Sequence, residues 1–195
     1  MDEISFFDKL AADWDNNEIL STPKKVEEIL NFMDIKPGMS ILDLGTGTGV
    51  LIPYIADKIG ETGRICAVDY SKEMLKRAMQ KFGKVKPTPE FRQLDFENDH
   101  IEGEYDRIIL YSVFPHLHSP IETLQWLKKV NLKEGGLIFI AFPTGPDFIN
   151  NIHQERHSDS EILPNATDLA LYLKENGLNA RAIVDTEQAY VVEVL

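Results

Sequence analysis

Cysteine is almost missing from this chain. Cys66 stands alone among 195 residues, so neither an internal disulfide framework nor a multi-cysteine metal site can form. Its apolar surroundings mark it as a core thiol. Basic charge is also short: 20 Lys and Arg face 32 Asp and Glu, for a formal net charge of -12. With a sequence pI near 4.8, that balance argues against a phosphate-backbone partner, which needs a basic face. It argues equally against docking on an anionic membrane. No apolar run approaches spanning length, and Met1-Asp2-Glu3 begins acidic without the apolar stretch of a signal peptide. A cytoplasmic protein is therefore expected, with neither nucleic acid nor membrane as partner. Repeats and low-complexity segments are absent too. The remainder, 43% hydrophobic and 27% charged, suits one globular domain over residues 1–195 with a core of its own.

The most informative stretch is Ile41-Leu42-Asp43-Leu44-Gly45-Thr46-Gly47-Thr48-Gly49. An apolar run with one acid leads into three alternating glycines, and Val50-Leu51-Ile52 resumes the apolar pattern. Physically this is a buried strand, a tight turn and the first turn of a helix. Alternate glycines permit positive φ and let a ligand lie against the backbone. The helix start aims free N–H groups into the same crevice. Asp43, at the end of a buried strand, needs a partner, and a cationic ligand group would serve. A ligand-free Gly-rich turn is the plain alternative. A dinucleotide loop, as in a nicotinamide-dependent oxidoreductase, is the functional rival, but its fingerprint is G-x-G-x-x-G. Here the pattern is D-x-G-x-G-x-G, which resembles the first motif of class I S-adenosylmethionine-dependent methyltransferases, E/D-x-G-x-G-x-G. The resemblance implies S-adenosylmethionine as cofactor, held by Asp43, Gly45, Thr46, Gly47 and Gly49.

Other segments extend it. Phe6 to Asp15 reads as a short amphipathic helix. By resemblance, residues 1–36 form a helical cover in which Trp14 and Asp15 approach the cleft, although simple packing of Trp14 explains it as well. Thr22-Pro23 starts a helix whose Val26, Ile29, Leu30 and Met33 form an apolar stripe. Strands are expected at Ser40–Leu44 and Arg64–Asp69, with a helix over Val50–Ile59 between them. Asp69 follows Gly49 by about twenty residues, where a βαβ unit sets an acid against ribose hydroxyls. Asp69-Tyr70-Ser71-Lys72-Glu73-Met74-Leu75 resembles the family's D-x-S-x-x-M-L run, which adds Tyr70 and Met74 as cofactor contacts. Lys72–Lys86 is locally basic and reads as the exposed face of a helix. Glu90–Leu94 is a third strand, after which Asp95 and Phe96 match the family's adenine-binding position; a strand-end turn capped by Asp95 is the plain alternative.

Tyr105–Tyr111 is the fourth strand, with Tyr111 a further candidate for cofactor contact. The loop Ser112 to His118 would then lie beside the sulfonium. A helix over Ile121–Val130 and a Leu132–Gly136 turn precede the fifth strand, Leu137–Phe142. A helix from Thr167 to Glu175 and a hairpin of Ala180–Val184 with Ala189–Leu195 finish the chain. The expected fold is a Rossmann-like, doubly wound α/β sheet of seven strands, mostly parallel, with an antiparallel C-terminal hairpin. The Asn/Asp-Pro-Pro-Tyr signature of many nucleic-acid and protein amide methyltransferases is missing, which favours a small-molecule acceptor. Residues 143–165 form the variable, substrate-side segment. His116 and His153 are candidate general bases, since imidazole titrates near working pH. His153 and His157 are one helical turn apart, so with His116 and His118 they are also a candidate metal set. A metal- or ligand-binding protein without catalysis is thus a further alternative.

Overall fold

The computed structural model describes Asp8, residues 23–155 (backbone alone at 153–155) and residues 162–195. The expected opening helix, with Trp14 and Asp15, and His157 lie outside the described residues. Seven strands, β1 (Ser40–Leu44), β2 (Arg64–Asp69), β3 (Glu90–Gln93), β4 (Tyr105–Tyr111), β5 (Leu132–Phe142), β6 (Ala180–Asp185) and β7 (Tyr190–Val194), form one sheet. Its order is β3-β2-β1-β4-β5-β7-β6. Neighbours are parallel from β3 through β5, and β7 runs antiparallel between β5 and β6. Six strands therefore share one direction, as the sequence pattern predicts.

Among the described residues six α-helices of seven residues or more accompany the sheet: α1 (Pro23–Asn31), α2 (Ile52–Ile59), α3 (Lys72–Phe82), α4 (Pro120–Trp126), α5 (Pro146–Glu155) and α6 (Ala166–Glu175). Strand side chains alternate between faces. Ile41, Ile65, Ala67, Ile109 and Phe139 point to one face, where Val26, Ile29 and Leu30 of α1 and Ile52, Ile55 and Ile59 of α2 cover them. Leu42, Leu44, Cys66, Val68, Ile108 and Leu110 point to the other, under Leu124 of α4 and Leu169 and Leu173 of α6. Burial on both faces is why the central strands read as unbroken apolar runs rather than alternating ones. No helix among the described residues is long and apolar enough to cross a membrane.

Several expected bounds differ by one or two residues, such as α2, which starts at Ile52 and not Val50, and two differ by more. Leu132–Gly136 is part of β5 and not a turn ahead of it: Tyr105 pairs with Leu132 and Arg107 with Leu137, so residues 133–136 bulge from the ladder. Gly135, at φ +74°, allows the bulge, and Lys133 Nζ holds it to Asp106 Oδ2 at 2.7 Å. The helix expected over Ile121–Val130 ends at Trp126, and Leu127–Asn131 continues as a wider π turn. That turn brings Asn131 inward, where its Nδ2 donates to the carbonyls of Ile101 (2.7 Å) and Gly103 (2.9 Å).

Arg107 closes α1 from the sheet side. It is buried, its Nε donates to Met33 O at 2.8 Å, and one terminal nitrogen donates to Asp34 O at 3.2 Å. These carbonyls belong to the turn that follows α1, and a cation there also faces the negative end of the helix dipole. Arg107→Ala should destabilise the chain by about 2–4 kcal/mol. Lys24→Ala, which breaks an exposed pair with Glu28, should stay within about 0.5 kcal/mol. Urea denaturation of both variants checks this, and equal losses would contradict the role given to Arg107.

Candidate functional site

Because β1, β2 and β4 are parallel and in register, with Leu44 level with Val68 and Leu110, their carboxyl ends open at one edge. Ligands of open α/β sheets bind at that edge. A single cleft there is lined by Asp43, Gly45, Thr46 and Gly47 from the first turn, Asp69 and Tyr70 from the second, and Asp95 and Phe96 beyond β3. Met74 of α3, Tyr111 at the end of β4, and His116 and His118 from the following loop complete the sequence-predicted members.

The turn is built by its hydrogen bonds. Thr46 N–H donates to Val68 O at 2.9 Å and Gly47 N–H to Asp69 Oδ2 at 2.8 Å, which ties the tip of β1 to the tip of β2. Gly45 is at φ +66°, and a Cβ there would sit 2.4 Å from Val113 Cγ2, so the turn lies directly against the loop after β4. Gly49 has a different task from the one expected. It is not among the lining residues, and a Cβ on it would come within 2.9 Å of both Ile52 and Phe82. Its missing side chain lets α3 pack against the start of α2.

Burial dominates the electrostatics. Asp43 is 1% exposed and accepts Thr46 Oγ1 at 2.6 Å. Desolvation pushes its carboxyl up to about 7, partly offset by the Thr46 bond, with Asp69 nearby raising it further. Asp69 is pushed up to about 6, again chiefly by burial, against the N–H groups of Ser71 (2.9 Å) and Gly47 that favour its ionised form. Asp8 adds negative charge to that rim: it accepts from Ser71 Oγ, the hydroxyl that also caps α3 by accepting Met74 N–H at 3.2 Å. Asp95 organises its own turn, accepting Glu97 N–H at 3.1 Å and Asn98 Nδ2 at 2.7 Å. The plain strand-end turn is therefore present, and its carboxylate also lines the cleft.

His116 lies in a short 3-10 turn, Phe114–His116, while His118 is largely exposed with Nδ1 3.3 Å from Glu97 Oε2. Among the described residues no group of three or more His, Cys, Asp or Glu is arranged to hold a metal. His153 falls in α5 by its backbone; its side chain, like all of His157, is outside the described residues. Glu97 lines the cleft without having been singled out from sequence, alongside Ser112, Val113 and Leu117 of the loop expected beside the sulfonium. Glu97 carries no motif signal. Ser112 is unusual only in three dimensions: a non-glycine residue at φ +58° whose buried Oγ has no hydrogen-bond partner among the described residues.

The two raised carboxyls predict a pH dependence. Unfolded aspartates titrate near 3.9, so between about pH 4 and 7 the folded chain holds protons that the unfolded chain has released. Asp43 and Asp69 therefore lower stability as pH rises through that window. Asp43→Asn should be more stable than wild type at pH 7.5, on the order of 3–4 kcal/mol, with the difference vanishing near pH 4. Paired urea titrations at the two pH values test it, because carboxyls with lowered values, such as Asp106 beside Lys133, cancel in the comparison.

The sheet order with a reversed β7, and a glycine turn facing acids at the carboxyl ends, define the class I S-adenosylmethionine-dependent methyltransferase fold. The chain belongs to the methyltransferase-domain family, whose profile matches residues 35–185. A solved S-adenosylmethionine-dependent methyltransferase from Aquifex aeolicus is 25% identical, with a TM-score of 0.70 over 100% of this chain and 98% of that one. Malonyl-(acyl-carrier protein) O-methyltransferase of Anoxybacillus flavithermus is 30% identical over 119 residues, 61% of this chain and 45% of that protein. Protein-L-isoaspartate O-methyltransferase of Methanothermobacter thermautotrophicus is 27% identical over 141 residues, 67% of this chain and 57% of that protein. The chain thus spans about half the length of these two curated relatives.

Proposed function

We infer that this chain transfers the methyl group of S-adenosylmethionine to a small-molecule acceptor. The observation that carries the reading is the row of acids, Asp43, Asp69 and Asp95, following three adjacent parallel strands and lining one cleft with the glycine turn. The residues suit such a cofactor. A carboxyl held near 7 by burial gains a partner when an ammonium or sulfonium enters, and Asp43 is assigned to that cationic end. Asp69 is assigned to the ribose diol, since its carboxylate stands at the tip of β2 and lines the cleft beside the glycine turn. Asp95 is assigned to the adenine amino group, with Phe96, Tyr70 and Met74 packing about the ring.

Bound there, the cofactor would supply an electrophilic methyl for in-line displacement. The chain's own contribution is alignment and exclusion of water. Gly45 and Gly47 let the backbone approach closely; Tyr111, Ser112 and His116 face the side on which an acceptor would enter. An acceptor that must lose a proton would give it to His116, the histidine that lines the cleft from the 3-10 turn. His153 stays a second candidate from the substrate-side segment. The net charge of -12 and the missing Asn/Asp-Pro-Pro-Tyr signature support a small acceptor over nucleic acid.

Calorimetry with S-adenosylhomocysteine tests the cofactor half. Binding is expected, and NAD is expected to give no thermal shift; a shift with NAD alone would reverse the assignment. Affinity should rise between pH 6 and 8 as Asp43 ionises, and Asp43→Asn should flatten that rise. Asp69→Ala should weaken binding by about 10- to 100-fold. Labelled cofactor against small-molecule pools then tests the transfer itself.

A further inference from the structure

We propose that Glu97 is a positioning residue that couples the cofactor side of the cleft to its acceptor side; this rests on the methyl-transfer reading above. Glu97 follows Asp95 and Phe96 in the loop after β3, yet its side chain bonds entirely across the cleft's rim. Its Oε2 accepts His118 N–H at 3.1 Å and lies 3.3 Å from His118 Nδ1. Its Oε1 accepts Ser119 N–H at 2.8 Å and Thr123 Oγ1 at 3.4 Å. The two main-chain N–H groups hold one oxygen each, the Thr123 hydroxyl is shared with Ser119 O at 2.8 Å, and the Glu97 side chain is only 13% exposed.

The arrangement replaces a local cap with a distant one. Ser119, the N-cap of α4, makes no side-chain cap bond of its own, and a carboxylate from another loop instead holds the N–H groups of His118 and Ser119 just ahead of the helix. The charge also suits the positive end of the helix dipole. The loop between β4 and α4, including His116 and His118, is thereby held by the same short segment that carries Asp95 and Phe96. A ligand that fixes residues 95–96 also fixes Glu97, and through it the start of α4. Ser119 and Thr123 do not line the cleft, so a cofactor-sized ligand reaches them through Glu97 or along the chain from His118, and removing Glu97 separates the two routes.

Amide hydrogen exchange of the full chain with and without S-adenosylhomocysteine reads this coupling. In the wild type the ligand should slow exchange at Ser119 and Thr123 by about tenfold. In Glu97→Ala, at a ligand concentration that saturates the variant, Ser119 and Thr123 should exchange equally fast with and without it. Glu97→Asp, which keeps the charge but shortens the reach by one methylene, should behave like Glu97→Ala and guards against a variant that fails to fold. A purely structural role would change exchange in the free protein without removing the ligand-induced difference. Equal slowing in all three proteins, or no slowing in a wild type that binds, overturns the coupling. A wild type that does not bind S-adenosylhomocysteine overturns the methyl-transfer reading instead, and the proposal with it.

Discussion

The carboxylate of Asp69 accepts N–H groups from two directions: from Gly47 in the turn after β1, and from Ser71 at the head of α3. Those bonds join the two innermost βα turns of the sheet, so the cleft's floor is a consequence of the β1–β2 register and not of loop packing. If β1 slipped by one residue, Asp43 would exchange faces with Leu42 or Leu44 and enter an apolar core. The register is safe because Ile41, Leu42 and Leu44 are themselves fully buried, on opposite faces, under helices. Hydrophobic alternation thus specifies where the acids stand, and the acids specify what the edge can bind.

Several unfavourable features meet at that edge. Two carboxyls are buried, with their proton affinity raised by lost solvation, and Ser112 holds a left-handed backbone with an unpartnered hydroxyl. Each is unfavourable by itself, by about 1–3 kcal/mol for a strained or unpaired group. Away from the cleft Arg107 meets three carbonyls and Asn131 Nδ2 two, while Asn131 Oδ1, Thr144 Oγ1 and Tyr190 OH are buried without a partner among the described residues. What sets the cleft apart is that a ligand entering it can complete the bonding of its carboxyls.

The difference also explains what could be read from sequence. β1, β2 and β4 were legible to the residue because buried parallel strands are largely apolar runs, which in β1 and β2 stop at a glycine or an acid. The start of β5 was not, since Lys133-Glu134-Gly135-Gly136 has turn composition and only the pairing of Tyr105 with Leu132 brings the strand to it. Nor does composition distinguish a glycine that makes room for a ligand from one that makes room for Phe82, so Gly49 read like Gly45 and Gly47. Glu97 was invisible for another reason: its partners lie 21 to 26 residues away and three of its four contacts go to main-chain N–H groups or a hydroxyl that any sequence could offer.

The cleft therefore divides by how its parts are held. The cofactor half hangs on strand ends and their backbone bonds, which alternation and glycine spacing encode locally. The acceptor half hangs on a 3-10 turn, a short helix and the Glu97 carboxylate, which tertiary packing alone brings together. Relatives of this chain carry names with unlike acceptors, an isoaspartyl protein and a malonyl carrier protein, over the region they share with it. That is the behaviour a divided cleft produces: the strand-borne half can stay constant while the loop-borne half is rebuilt. A single carboxylate bridging the halves, as Glu97 does, keeps a rebuilt loop aligned with the methyl group that it must receive.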